Sequence, residues 1–394
     1  MEAKTQDMTG RRYRAGSAYE LVVFDRLPAE EQAAVAELYS DPDFYGVLKP
    51  REASGQTVKV VGRDTALLWL TLQTPGPLPF FVFRGDPEDA VGAITDLVLD
   101  GVLEIEDGER FVGGAVAAEL LLGAAGVNAA GQLAELSTAA LRYGEALGIA
   151  DPGELASRLY AFHRQPLTPA WARRLPDGEA VLAFLDAAPG TPRRRRLDGH
   201  WQRAEEGETP GWLAFSPRGP GRERSGRKTY KLYVSPAVDA LPAAFGAALD
   251  ELGERGGGHF KVGADAAGLL RPDKMVLYFD ELDDLLAAAS RLELRLAGIE
   301  PHGVPFSAEI AARGLLSWGM DPPRSERLLS WQEQGSWRVW VARRLAAALI
   351  AARASTEGTA EPTMPPWRFA VERLRREGVD VDRWTPSAAI WQAA

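Results

Sequence analysis

Alternation of apolar and polar residues is clearest in the second half of the chain. The segment KTYKLYVSP predicts a strand that places Tyr230, Leu232 and Val234 on one face and Lys231 and Tyr233 on the other. HFKVG and RPDKMVLYFD predict a second and a third strand. Helical spacing predicts helices over AVDALPAAFGAALDELGERGGG and DELDDLLAAASRLELRLAGI. It predicts two more over SWRVWVARRLAAALIAARAS and over the segment that follows Pro366. This order predicts an α+β sandwich with helices on one face of a mainly antiparallel sheet.

The first half of the chain, residues 1–187, predicts a mostly helical region with a winged-helix-like unit. AEEQAAVAELYS has helical spacing, whereas residues 58–73 are rich in β-branched and aromatic residues and predict paired strands. Asp86, followed by proline, marks the start of a helix, and LEIEDGERFVGG predicts a hairpin that turns at Asp107 and Gly108. A helix followed by a hairpin outlines a winged helix, although a plain α+β unit has the same pattern. Acidic flanks favour a peptide strand over DNA as its partner.

Proline, glycine and arginine dominate residues 188–227, where apolar periodicity is weak. This composition predicts a solvated linker between the first region and a second domain over residues 228–394. The alternative is a positive rim that attracts an anionic substrate to an otherwise acidic protein.

The composition excludes several kinds of chemistry. The chain has no cysteine, which removes disulfides, thiolate nucleophiles and iron–sulfur clusters, and its four histidines are not at metal-ligand spacing. We therefore expect no metal and no cofactor. The net charge of -10 disfavours nucleic acid and membrane surfaces. The polar N-terminus and the interrupted apolar segments predict neither a signal peptide nor a membrane span, so we expect a cytoplasmic protein.

The lysines are unevenly distributed in this arginine-rich chain. Of seven lysines, four lie at Lys228, Lys231, Lys261 and Lys274. Arginine can replace lysine on a solvated surface, but it cannot act where a group must lose its proton. If the three predicted strands are neighbours, Lys231, Lys261, Lys274 and Arg271 converge around one anion-sized site. Chance placement of ordinary surface lysines is the alternative explanation.

The same segments carry a resemblance to a known family. KLYVSP, HFKVG, RPDKMVLYF, GVPFSAEIAARGLLSWGMDPP and SWRVWVARRLAAAL resemble the Hop-A-like effector family over residues 228–352. Members act as lyases in class V lanthipeptide and thioamitide pathways, and their distant relatives are the phosphothreonine lyases. The resemblance implies a cofactor-free β-elimination of phosphate from phosphoserine or phosphothreonine in a ribosomally made precursor peptide. A separate peptide kinase would supply the phosphate, and the winged-helix-like unit would hold the leader segment of the peptide.

The resemblance also implies roles for individual residues. Lys231 matches the base lysine of the family, and Tyr233 stands where the phosphothreonine lyases have a histidine acid, which puts acid catalysis in doubt. The residues that would hold the substrate phosphate are Lys261, Arg271, Lys274, Arg343 and Arg344. Because of the tyrosine, a catalytically inactive protein that binds a phosphopeptide or a leader peptide is the second hypothesis.

Overall fold

The chain has an α+β fold, as the sequence predicts. The computed structural model describes Met8 and residues 10–51, 58–123, 131–205, 209–218, 230–322, 335–356 and 364–386. None of the described helices combines the length and the apolar composition needed to cross a bilayer.

Two small antiparallel sheets form the first part of the chain. Its strands are β1 (Arg12–Ala15), β2 (Tyr19–Val23), β3 (Phe44–Pro50), β4 (Lys59–Gly62), β5 (Gly76–Pro77), β6 (Leu103–Asp107) and β7 (Arg110–Val112). Its helices are α1 (Ala29–Val35), α2 (Arg63–Thr71), α3 (Pro87–Leu99) and α4 (Gly114–Leu122). The strand orders are β5-β1-β6-β7 and β2-β3-β4.

The predicted helix and hairpin are both present. The Asp86 side chain caps α3 by accepting a hydrogen bond from the Glu88 amide at 2.8 Å. Strands β6 and β7 pair around Asp107 and Gly108, and Gly108 has a φ of 61°, which favours glycine. The hairpin is joined by β1 as a third strand.

The prediction of paired strands over residues 58–73 is wrong in its second part. Strand β4 ends at Gly62, and helix α2 follows directly. Ala66 and Trp69 are three residues apart and both are buried, while Leu72 is buried beyond them. Burial of this helical face outweighs the β-propensity of the segment.

A series of helices leads from the first part into the large sheet. These are α5 (Gln132–Ala146), α6 (Pro152–Ala161), α7 (Pro169–Arg174), α8 (Gly178–Phe184) and α9 (Pro192–His200), followed by strands β8 (Trp201–Arg203) and β9 (Trp212–Pro217).

The prediction of a linker over residues 188–227 is corrected by α9, β8 and β9. Both strands belong to the large sheet, whereas residues 206–208 and 219–227 lie outside the described part of the chain. Helix α9 buries Leu197 and is otherwise held by ion pairs, such as Arg194 with Asp198 at 3.0 Å and with Glu179 at 3.3 Å. Apolar periodicity is therefore weak here. Arg193, Arg194 and Arg196 of α9 each form an ion pair with a carboxylate of the same chain.

The second part is built on a seven-stranded antiparallel sheet. Its further elements are β10 (Tyr230–Val234), α10 (Leu241–Glu254), β11 (Phe260–Gly263), α11 (Ala266–Leu269), β12 (Met275–Phe279), α12 (Leu282–Arg295), β13 (Ala308–Ala311), β14 (Leu316–Met320), α13 (Trp337–Thr356), α14 (Pro366–Arg376), β15 (Val379–Asp380) and β16 (Thr385–Pro386). The strand order is β13-β14-β10-β12-β11-β9-β8, and β15 pairs with β16 in a separate ribbon.

One face of the large sheet packs on helices and forms the main core. Leu232, Leu277 and Phe260 come from three adjacent strands and share a cluster with Leu249 of α10 and Leu285 of α12. These side chains are almost fully buried, which fixes the register of the central strands.

The other face of the sheet carries the polar residues that the alternation predicts. Tyr233 of β10 lies opposite Val276 of β12, which lies opposite Lys261 of β11. Lys231 is two residues before Tyr233 and therefore points to the same side. Helix α13 covers part of this face, because Gly319 of β14 leaves room for Trp337. A Cβ atom at Gly319 would lie 2.5 Å from the Trp337 ring.

We predict that Leu277→Ala will lower the free energy of unfolding by about 2–5 kcal/mol, since it leaves a cavity beneath the central strand. Leu294→Ala is the matched control, because Leu294 is 79% exposed on α12. Urea unfolding followed by circular dichroism measures both. Equal effects of the two substitutions would contradict the packing described here.

Candidate functional site

Two lysines lie on either side of the central strand β12, on the face opposite the main core. The Lys231 Nζ atom is 5.7 Å from the centroid of the Tyr278 ring, and the Lys261 Nζ atom is 5.9 Å from the same centroid. Tyr278 pairs directly with Lys231 across the strands. The structure thus brings the two predicted lysines together through one aromatic ring.

The alternation of cations and rings continues away from Lys261. Its Nζ atom is 4.0 Å from the centroid of Trp212, and the Arg271 guanidinium lies 4.7 Å from that centroid. Arg271 is also 5.5 Å from the Tyr160 ring, which is 4.5 Å from the Arg338 guanidinium. Such contacts are attractive because each ring presents a negative face. We call this row the cation–aromatic ladder, and its members are Lys231, Tyr278, Lys261, Trp212, Arg271, Tyr160 and Arg338.

A buried carboxylate, Asp273, fixes one end of the ladder. Arg271 donates to its two oxygens at 2.9 and 3.0 Å, and the Arg338 Nη1 atom lies 3.0 Å from Oδ2. The Tyr160 hydroxyl donates to Oδ2 at 2.8 Å and accepts a hydrogen bond from Arg271 at 2.7 Å. Burial acts to raise the pKa of Asp273, but Arg338 and Arg271 outweigh it and hold this pKa well below its usual range. Burial and the same carboxylate raise the pKa of Tyr160 to about 12.

A second carboxylate, Asp321, neutralises the opposite end. Lys231 donates to Asp321 Oδ1 at 2.6 Å, and the same oxygen accepts from the Trp337 amide at 3.2 Å. Lys231 is 8% exposed, whereas the Asp321 side chain is 24% exposed, so water reaches this pair from the side of the carboxylate. Asp321 follows β14 directly, and Trp337 begins α13, so the ion pair links the sheet to that helix.

Lys261, between these ends, has no carboxylate of its own. Among the described residues, no side-chain oxygen lies within hydrogen-bonding or ion-pair distance of its Nζ atom, in contrast to Lys231. Burial lowers the pKa of Lys261 to about 8, and the charge of Lys231 contributes to the shift. With Lys261 protonated, the ladder holds four cations against two carboxylates.

Tyr233 is buried beside the ladder. It packs with Val276 and Val304 and is 3% exposed. Burial raises its pKa well above 10. The hydroxyl therefore remains protonated and is suited to donate a hydrogen bond, but it gives up its proton reluctantly.

Lys274 is held apart from the ladder by other partners. Its Nζ atom donates to the Pro236 carbonyl at 2.9 Å and contacts His302 Nδ1 at 2.6 Å. The other ring nitrogen of His302 lies 2.7 Å from the His163 carbonyl, which indicates a neutral ring that carries its proton on Nε2. Burial lowers the pKa of Lys274 to about 7, and burial together with Lys274 lowers that of His302 to about 3. The predicted phosphate contact of Lys274 has no support in this placement.

Arg343 and Arg344 are not brought to the ladder either. Arg343 is exposed, and Arg344 forms an ion pair with Glu377 and stacks 3.8 Å from the Trp340 centroid. Arg338 of the same helix takes the place predicted for them, and the spacing of α13 explains why. Arg338 is in phase with its buried residues, which include Val341, Ala342 and Leu345, whereas the other two arginines are out of phase.

Besides Arg338, four members of the site were missed by sequence reasoning. Tyr160 and Trp212 lie far from the lysine segments in sequence, and Asp321 contacts Lys231 only because β14 pairs with β10. Asp273 stands in the RPDK motif. Its acidic side chain in an otherwise apolar and basic segment was the feature that could have indicated a buried ion pair. Lys228 lies outside the described residues. Within the part of the chain that the structure describes, no three His, Asp or Glu side chains are grouped so as to hold a metal ion.

We predict that Asp273→Asn will destabilise the protein by about 3–5 kcal/mol at neutral pH, because it leaves two buried guanidinium groups unpaired. Since folding lowers the pKa of Asp273, its contribution is fully present above the unfolded pKa of about 3.9 and is lost as the pH falls toward the folded value. Urea unfolding at pH 7 and at acid pH measures this change. The exposed Asp25→Asn is the control, and a difference between the two variants that persists unchanged into strong acid would contradict the assignment.

Comparison with known proteins gives limited similarity. No protein-family profile and no curated protein matches the chain. Two solved structures show partial similarity to this chain, both described as effector proteins, one from Pseudomonas syringae pv. tomato strain DC3000 and one from Pseudomonas syringae pv. syringae strain 61. They are 14% and 16% identical, each with a TM-score of 0.39. The alignments cover 65% of this chain and 99% and 98% of the effector chains.

Proposed function

We propose that the cation–aromatic ladder binds a phosphomonoester and that the protein eliminates phosphate from phosphoserine or phosphothreonine in a peptide. The observation that carries this proposal is the excess positive charge around Lys261, which pairs with no carboxylate among the described residues, while Lys231 and Arg271 on either side have one each. A phosphate dianion would supply the missing negative charge. Buried charges persist when they are matched in this way.

The elimination needs a base for the α proton of the phosphorylated residue. A neutral amine can accept that proton, and the resemblance implies Lys231 for this role. Asp321 fixes the position of this amine and also favours its ammonium form, so we expect the reaction to accelerate as the pH rises.

Cations must also hold the phosphate as it departs. Arg271 is suited to this task because Asp273 and Tyr160 fix its guanidinium from one side, which removes the entropy that a free arginine would lose. Lys261 lies beside it over the same indole ring. Tyr233 would donate a hydrogen bond to the oxygen on which negative charge develops.

The peptide would be a ribosomally made precursor that a separate kinase has phosphorylated, as the resemblance implies. The product would be a dehydroamino acid. The unit of α3 and the β6–β7 hairpin would hold the leader segment of that peptide.

The protonated hydroxyl of Tyr233 and the ion pair of Lys231 favour a second function. Tyr233 is too deeply buried to ionise readily, and Lys231 is paired with a carboxylate in the free protein. A protein with these features could bind a phosphopeptide, or present it to another enzyme, without catalysing its elimination.

We predict that the wild-type protein will remove one phosphoric acid from a synthetic peptide that carries a single phosphothreonine, as measured by mass spectrometry. Lys231→Ala should lower the rate by about 100-fold or more, because it removes the base. Lys49→Ala is the matched control, since Lys49 pairs with Glu31 at 2.8 Å in the first part of the chain.

The same assay separates the two functions. Binding of the phosphopeptide without any loss of mass would favour the non-catalytic function. A rate for Lys231→Ala equal to that of the Lys49→Ala control would exclude Lys231 as the base.

A further inference from the structure

Lys261 is the member of the ladder whose charge state is the least constrained. Lys231 faces Asp321, and Arg271 and Arg338 face Asp273, whereas Lys261 has aromatic rings on two sides and cations beyond them. Burial and the charges of Lys231 and Arg271 oppose an ammonium in this position until an anion arrives. Binding of that anion would then favour the ammonium form of Lys261 over the neutral amine.

We propose that Lys261 takes up a proton when a phosphate dianion binds and then donates this proton to the departing phosphate. The first half concerns binding, and the second half rests on the proposed lyase function. The site would consequently select dianionic phosphomonoesters over monoanionic esters of similar shape.

The charged and titratable groups around Lys261 come from four elements of the sheet face. Burial is the main cause that lowers the pKa of Lys261 to about 8 in the free protein; Lys231 and Arg271 lower it further, whereas Asp273 and Asp321 act to raise it. Each negative charge on a bound phosphate also acts to raise it. The groups are Lys231 of β10, Tyr278 of β12, Arg271 and Asp273 in the segment before β12, and Asp321 after β14.

The chemistry of the elimination requires such a proton. The α carbon gives its proton to the neutral amine of Lys231, the electron pair forms the Cα–Cβ double bond, and the Cβ–O bond breaks. The oxygen that departs would leave as a phosphate trianion, which is far more basic than an amine. A proton from the Lys261 ammonium converts it to the hydrogen phosphate dianion and leaves Lys261 neutral. The α proton and the donated proton balance, and exchange with water resets both lysines.

Tyr233 does not meet this need, because its buried phenol holds its proton too strongly. Arginine at position 261 would meet only the requirement for positive charge, and not the requirement for a proton that can be transferred. A guanidinium supplies the positive charge, but it neither takes up nor releases a proton at these pH values. The substitution of Lys261 by arginine therefore separates charge from proton transfer.

Calorimetry tests the binding half with a ligand that cannot react. The probe is a peptide with a phosphorylated α-methylserine, which has no α proton, and its heat of binding is measured in two buffers of different ionisation enthalpy. At a pH of about 8, the wild type should take up about half a proton per phosphate, and this uptake should approach zero at a pH near 7, where Lys261 is already mostly protonated and the phosphate ester is still mostly a dianion. Lys261→Arg should bind the probe without uptake, while Lys261→Met should bind at least about tenfold more weakly.

A sulfate ester of the same peptide is the control for charge. As a monoanion it should bind the wild type about tenfold more weakly than the phosphate ester and should cause less proton uptake. Equal affinity for the two esters overturns the proposal, and so does the same proton uptake in Lys261→Arg. No measurable binding of the phosphate probe also overturns it.

Turnover of a reactive phosphothreonine peptide tests the donor half. We expect Lys261→Arg to retain the KM of the wild type while its kcat falls about 100-fold. A wild-type kcat in this variant overturns the donor role but leaves the lyase function intact. A wild-type protein that takes up the proton but never eliminates phosphate overturns the donor role together with the lyase function.

Discussion

The contact of Asp273 with two guanidinium groups is the interaction on which the site depends. Asp273 lies just before β12, and Arg338 is on α13. Tyr160 is on α6 and donates a hydrogen bond to the same Asp273 oxygen, Oδ2, that Arg338 contacts. This one carboxylate therefore ties the central strand to a helix from each half of the chain. Burial of these charges is unfavourable unless each has its partner, so the geometry is determined closely. Arg271 is aimed along the sheet face because its other side is fully engaged.

Strand alternation explains how far the site was predictable. The sequence placed Lys231 and Tyr233 on one side of a strand, and the structure confirms that alternation. The adjacency of Lys261 could not be predicted in the same way, because it depends on β12 lying between β10 and β11. That order is set by a core of side chains from distant segments, such as Phe260 and Leu285. The local pattern predicts on which face of a strand a side chain lies, but it does not predict which strand lies beside it in the sheet.

The elements that sequence reasoning missed share one physical cause. Helix α9 is held by charge pairs, and Arg338 is a charged residue in a buried position, so neither follows the rule that apolar residues mark the core. Trp212 stands in β9, within a segment whose proline and glycine content suggested a linker. Partners that are remote in sequence stabilise both elements, as Asp273 does for Arg338 and Asp250 does for Arg196 of α9. Periodicity detects burial against apolar neighbours, whereas buried ion pairs need the partner to be known.

The positions of lysine and arginine within the ladder follow from what each can do. Arginine occupies the end where a fixed fork must match a carboxylate, as in the two parallel bonds from Arg271 to Asp273. Lys261 occupies the middle, where none of the carboxylates in the described part of the chain forms an ion pair with it. In a chain in which arginine is by far the commoner basic residue, a lysine whose described contacts are aromatic rings gains nothing from the geometry of its head group. What distinguishes it there is the freedom to lose a proton, and burial between two other cations increases that freedom.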